Sequence, residues 1–449
     1  MSRTSESAAE SETWNRSSLL EMMDNDMEQE LLGSDEVAKE ASSSKGKASW
    51  QRVTFVIITS FLGAGVLSLP YSASRLGWVI FNIALGVVAV GSVVASDCYG
   101  RLYSVRPKAK VFADIAREVY GARFERIFRF AVYVYIGGIV IIFHLTSTIS
   151  LSEVVGGCES YLGLICGGLA FVALQARSMH DLSGIAIIGS IAILVPCFII
   201  LVALPTRGRR KGAQTEVFWP ATSSLVGKGV GFMDLSFAYA GQVIFIELQS
   251  GMEKPKDFMK SVLASNTVMT CTYAAVAALG YYFLGQDELK NGEPISTKLA
   301  HGSSTSKIVN AFVFVHVLVA YAVEGNFLAR GILNALGRDD AAHANTPSAR
   351  ATWAACTAGV VLGAYLISNL VPFFSDVMSF ISGLCGVVLN FTFPLIFVLE
   401  LAPPKSKNLR LFYKLLIALS VLVAIAGTTA ATIDIVHKID LKPPFVCSS

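Results

Sequence analysis

The chain has 449 residues, 53% of them hydrophobic and only 15% charged, with a formal net charge of +3. A soluble chain carries about a quarter charged residues, so this composition excludes an ordinary soluble enzyme or a nucleic-acid partner and indicates a multi-pass membrane protein. No Walker A loop, HExxH or GxSxG occurs, which argues against an ATP-driven pump or a common hydrolase, and no cofactor is expected.

Residues 1–48 hold 11 acids against 5 Lys/Arg and no sustained apolar run. They read as a disordered acidic tail, whose sharper role would be sorting or binding cytoplasmic partners. Glu28-Gln29-Glu30-Leu31-Leu32 looks like an acidic dileucine signal, although Met27 stands where such signals have an acid. No cleavable signal peptide is expected ahead of the first span. Eleven apolar runs follow, at 53–76, 79–103, 128–152, 160–176, 185–204, 230–250, 261–284, 308–330, 351–371, 376–399 and 412–435. Each approaches the ~20 residues that a membrane helix needs, the fourth being short. An all-α transmembrane domain over 49–435 is therefore expected, with a short tail at 436–449.

With the amino terminus cytoplasmic, 25 of the 36 Lys/Arg fall on the inner side, as the positive-inside rule requires. The exception is Arg207, Arg209, Arg210 and Lys211, which this topology places outside. Between the second and third spans, Val111, Phe112, Ile115, Val119, Phe124 and Ile127 alternate with Arg and Glu, the spacing of an amphipathic helix on the inner face. Most of the eight cysteines lie in or beside apolar spans and act as small hydrophobes. Cys158 and Cys447 alone could meet on an oxidising side.

The first span is interrupted at Ser60-Phe61-Leu62-Gly63-Ala64-Gly65-Val66-Leu67, and the sixth at Ala238-Tyr239-Ala240-Gly241-Gln242. Broken helices persist in a membrane where the freed backbone lines a cavity. A pair at matching places in two halves of a chain points to a secondary transporter's binding site. The half-helix after the first break would aim the free amides of Gly65, Val66 and Leu67 at a carboxylate. Carbonyls near Ser60, Phe61 and Ala238 to Ala240 would take an ammonium group. The competing reading is close helix packing on small residues. Tyr239, Gln242 and Tyr321 are pocket-shaping candidates, as are Gly137, Gly138 and Ile141 of the third span, each equally open to a packing role. Among buried ionisable groups, Glu247 and Glu324 read as functional, since a carboxylate inside a membrane needs a reason to persist. His144 and His316 read as satisfied structural groups, and Asp97 and Asp376 as solvated span ends.

Gly63-Ala64-Gly65-Val66-Leu67-Ser68-Leu69-Pro70 with Leu76-Gly77-Trp78 resembles the first-helix signature of the amino acid/auxin permease family. Phe237 to Gln242, with Glu247-Leu248-Gln249 and Met252 to Phe258, is similar to its sixth-helix signature. Phe112 to Ile115 with Gly121, and Pro372 to Asp376, resemble weaker motifs in the right order. The resemblance implies eleven helices, a five-plus-five inverted repeat, and ion-coupled symport of amino acids by alternating access. An amino-acid sensor without net transport, or a carrier of an auxin-like aromatic acid, are the alternatives. In this fold type a sodium site would lie between the first break and the eighth span. Residues 307–330 contain no Ser or Thr, so a proton gradient is expected instead, carried by Glu324 or Glu247, because burial penalises the charged form of a carboxyl group. The membrane is the plasma membrane or a vacuolar/endosomal one.

Overall fold

A computed structural model describes residues 48–177, 179–221, 223–338, 340–439 and 445. The dileucine-like segment, nearly all of the acidic tail and Cys447 lie outside the described residues. The elements are α1 (Trp50–Phe61), α2 (Ala64–Leu76), α3 (Trp78–Val105), α4 (Phe112–Val155), α5 (Glu159–Ala173), α6 (Met179–Arg207) and α7 (Leu225–Ala238). They continue with α8 (Phe245–Ser250), α9 (Phe258–Leu289), α10 (Ser304–Ala335), α11 (Pro347–Leu370), α12 (Phe374–Ile381), α13 (Phe393–Leu401) and α14 (Lys407–Ile439). Among the described residues there is no strand, only an isolated bridge joining Ala48 to Met252.

Helix starts follow local chemistry. The side chains of Ser49, Ser224, Ser303 and Thr346 accept hydrogen bonds from the backbone N–H of Arg52, Gly227, Ser306 and Ala349, three residues on. Each satisfies an amide that the helix leaves unpaired. Pro347 opens α11, where a missing N–H costs nothing. The expected amphipathic helix is the first part of α4. It turns at Gly121, whose φ of 81° favours a residue without Cβ. Its Phe112 and Ile115 are buried.

Among the described residues nine segments are long and apolar enough to cross a membrane, and α1 with α2, bent by 54°, makes a tenth. The protein is an integral, multi-pass membrane protein. With 15 residues α5 falls short of that test, yet it runs alongside α11 from end to end. Ser160 at its start donates to Asn369 Oδ1 at 2.9 Å, and Arg177 beyond its end donates to the carbonyls of Ala341 and Ala344. Contacts between helix ends define two faces. On the near face, where α1 begins, Ala48 pairs with the chain after α8. On the far face, the Trp78 N–H donates to Glu216 O and the Gln286 N–H to Gln214 O.

The centre of the bundle is α1–α2 and α7–α8. In the most apolar stretch of Leu225–Ser250, 83% is buried, against 22% for Lys407–Lys438 in α14. Leu411, Leu415, Leu422 and Ile425 of α14 face outward, as suits a peripheral helix in lipid. α2 packs along α7 and α9, while α10 packs along α4 and α6.

Candidate functional site

The two breaks meet. α1 ends at Phe61 and α2 restarts at Ala64, while α7 ends at Ala238 and a short 3₁₀ turn over Gln242–Ile244 leads into α8. A Cβ on Gly65 would stand 2.9 Å from Ala238 Cα, and one on Gly241 would stand 2.6 Å from the Phe61 ring. Each break's glycine therefore makes room for the other helix, the close packing that was the competing reading of these glycines. Gly63, Ala64, Gly65, Val66 and Leu67 are all buried, and Ser60 is half-buried. α2 starts without a side-chain cap, which leaves its first amides facing the junction.

The carbonyls expected to hold an ammonium group already have tyrosine partners. The Tyr273 hydroxyl lies 3.0 Å from Phe61 O and 2.7 Å from Ala238 O, so one side chain of α9 spans both breaks. Tyr135 of α4 donates to Ala240 O at 2.9 Å. Gln242 closes the second break, donating to Tyr239 O at 2.8 Å and Ser92 Oγ at 2.9 Å while its Oε1 accepts from the Gly241 N–H. The Val243 N–H donates to Asn390 Oδ1 at 3.1 Å. Asn390 sits in one of two π-helical turns, Ser382–Gly386 and Val388–Thr392, that join α12 to α13. A carbonyl has two lone pairs, so these contacts shape the junction and still leave acceptor capacity.

The remaining candidates divide. Tyr239 is buried at the break, its hydroxyl 2.8 Å from Thr270 Oγ1. Tyr321 faces α4, its ring 6.0 Å from that of His144. Gly138 receives Ile381, and Gly137 approaches Leu328. Glu247 lies on the near-face side of the junction, within electrostatic reach of Glu324, Asp114 and Arg330. Glu324 acts in turn on Tyr135, the residue that holds Ala240 O.

At three groups the structure adds what the sequence did not show. His316 of α10 is fully buried; its Nδ1 lies 2.8 Å from Gly189 O, and its Nε2 has no hydrogen-bond partner. A carbonyl only accepts, so the proton belongs on Nδ1 and Nε2 presents a bare lone pair. That nitrogen stands 3.3 Å from where a Gly63 Cβ would be. An imidazole thus occupies the space between the first break and α10. Asp234 of α7 and Asp376 of α12 form the second surprise. Both are fully buried, and Asp376 Oδ2 pairs with Lys438 Nζ at 2.8 Å rather than with solvent. Asp97, by contrast, is partly exposed and pairs with Arg101 at 2.7 Å. The third is Tyr273. The only signal for it was a polar-tipped ring in an apolar run, which every buried tyrosine shares. Among the described residues no group of His, Cys, Asp and Glu is arranged to hold a metal ion. Cys158 is disulfide-bonded.

The model of the transmembrane amino acid transporter protein family matches residues 46–433, nearly the whole chain. The chain belongs to that family. It is 24% identical to the N amino acid transport system protein of Neurospora crassa, over 93% of each chain. It is 21% identical to the amino acid transporter AVT1J of Arabidopsis thaliana, over 87% of this chain and 92% of the relative. A third relative, the lysine histidine transporter-like 6 protein of the same plant, is 24% identical over 87% and 91%. Membership makes the protein a transporter and not an enzyme, and the two signatures read from the breaks fall within the matched region.

Proposed function

We propose that this transporter carries amino acids by secondary active transport, alternating access between two five-helix repeats and coupling to protons. The observation that supports it best is the meeting of the two broken helices, Gly65 against Ala238. A zwitterion entering a bilayer needs partners at both ends, because unpaired charge in hydrocarbon is costly. The uncapped start of α2 offers amides and the positive end of a helix dipole to the carboxylate. Opposite it, the carbonyls at Phe61, Ala238 and Ala240 and the bare Nε2 of His316 offer acceptors to the ammonium group. The relatives' names, amino acid transporter among them, agree with that pairing.

Proton coupling draws on two features. One is that His316 of α10 turns an imidazole nitrogen, and not an oxygen, toward the first break. The other is that Glu247 lies within electrostatic reach of Glu324, and Glu324 also acts on Tyr135, which holds the Ala240 carbonyl at the junction. Glu324 is the preferred carrier. The excess of Lys/Arg on near-face connections supports a cytoplasmic reading of that face, and of the acidic tail with any partner it has. The substrate's identity and the membrane, plasma or endomembrane, follow from assay.

The test is uptake of a labelled mixture of the twenty amino acids into vesicles containing the purified protein, followed by competition with each amino acid singly. Accumulation should follow an imposed pH gradient and ignore sodium. Glu324→Gln should abolish pH-driven accumulation yet preserve exchange of internal for external substrate. Binding without uptake would favour a sensor, and a sodium requirement would overturn proton coupling.

A further inference from the structure

We propose that Asp234 holds a proton as a neutral carboxylic acid in the far-face half of the bundle, and that this proton latches α7 to α12. The role in transport rests on the proton-coupled reading above; the protonation itself rests on counting hydrogens.

Asp234 lies one turn before Ala238, the last residue of α7, and is fully buried. Its Oδ2 is 2.6 Å from Ser375 Oγ and its Oδ1 is 2.7 Å from Ser379 Oγ. Ser379 Oγ is also 2.8 Å from Val230 O. A hydroxyl has one hydrogen, and a carbonyl oxygen can only accept. If Ser379 donates to Val230, the hydrogen between Ser379 and Asp234 has to come from Asp234. If Asp234 were ionised and took the Ser379 hydrogen, two oxygens would face each other at 2.8 Å with none between them.

Charge counting gives the same answer. The charged groups acting on Asp234 are Asp376 of α12 and Lys438 of α14. Lys438 is already engaged, 2.8 Å from Asp376 and 2.7 Å from Asp434. From α2, Tyr71 faces the cluster, and Arg75 lies over the Tyr71 ring at 4.8 Å and donates to the backbone of Lys290. On α7 itself, Lys228 is nearly two turns away against the Trp219 ring. An ionised Asp234 would be a second carboxylate beside Asp376 with no cation of its own, the costly arrangement inside a membrane.

The far face supplies the start of a route for the proton. A polar cavity of about 360 Å³ opens at the far face, lined by Glu153, Glu159, Lys290, Glu293 and Lys438. Beyond Lys438, the Tyr71 hydroxyl and Ser72 Oγ are buried without a protein partner. Unpaired buried polar atoms are where ordered water sits. With its proton, Asp234 ties α7 to α12 through two serines. Without it, the carboxylate is repelled by Asp376 and demands water, so α7 separates from α12. Because α7 carries the Ala238 carbonyl that shares Tyr273 with Phe61, the latch and the junction move as one rigid half-helix.

Infrared spectra of the purified protein at neutral pH test the protonation. Wild type should show the carbonyl stretch of a buried carboxylic acid. Asp234→Asn should lose that band, and Ser379→Ala should shift it upward as a hydrogen bond is removed. A spectrum in which neither variant alters the band overturns the assignment. In vesicles, Asp234→Asn, whose amide reproduces the donor and acceptor of the neutral acid, should retain exchange of the twenty-amino-acid mixture and lose substrate-driven proton flux. Retained proton flux in that variant overturns the latch. Absence of proton flux in wild type overturns the proton-coupled reading instead, while the infrared band still decides the state of Asp234.

Discussion

At the scale of single residues, Tyr273 and Gly65 decide the geometry of the junction by opposite means. Tyr273 supplies one hydroxyl to two carbonyls that broken helices left unpaired. Tyr273→Phe keeps the ring and removes the donor, leaving buried acceptors unsatisfied at a cost of about 1–3 kcal/mol. A lower thermal unfolding temperature in detergent, together with weakened substrate binding, is expected; unchanged values would show that the hydroxyl is dispensable. Gly65 contributes by lacking atoms. If its only role were to admit a carboxylate, a branched side chain there would block that approach and spare the fold. The contact with Ala238 Cα at 2.9 Å changes the reason, because even Gly65→Ala must push α2 away from α7. Overpacking of this kind costs about 1–3 kcal/mol. Gly65→Ala should therefore lose both substrate affinity and thermal stability, and a variant that loses affinity alone would restore the original explanation.

At the scale of elements, the span from Phe374 to Leu401 departs most from a simple helix. Its π-helical turns widen the helix where it meets the second break, a feature frequent at functional sites. Asn390 in the second turn accepts from the Val243 N–H, and Tyr99 of α3 donates to Leu389 O at 3.2 Å. The 3₁₀ turn between α7 and α8 thus hangs on another span. Asn390→Ala should speed hydrogen–deuterium exchange in residues 242–250 and leave α9 protected. Equal exchange in both proteins would mean that Gln242 alone holds the turn. The apolar runs were readable because hydrocarbon forces backbone groups to pair within one segment. Neither the π turns nor the kink at Gly121 had such a signal, because each depends on what the helix packs against.

At the scale of the molecule, the far face unites the basic cluster that ran against the charge rule with its partners. Arg210 pairs with Glu288, and Arg209 donates to Ala213 O and lies 4.9 Å from the Tyr282 ring. Positive-inside bias counts residues along loops, whereas these arginines are tied to the end of α9. An impermeant amine reagent on intact vesicles should modify Lys211 and Lys256 from opposite sides. Modification of both from one side would reject the alternation of faces that these contacts describe.

What the sequence determined by itself was the membrane environment, the order of the apolar runs, and the two breaks. These follow from composition and from glycine placement, which are local properties that a bilayer enforces segment by segment. Tertiary structure decided which polar groups share a junction. Asp376 looked like a solvated span end and is buried against Lys438; His316 looked structural and points a bare nitrogen at Gly63; Asp234 drew no notice and lies fully buried between two serines. The partner of a buried polar group comes from a helix far away in the chain, and no spacing along one helix encodes it.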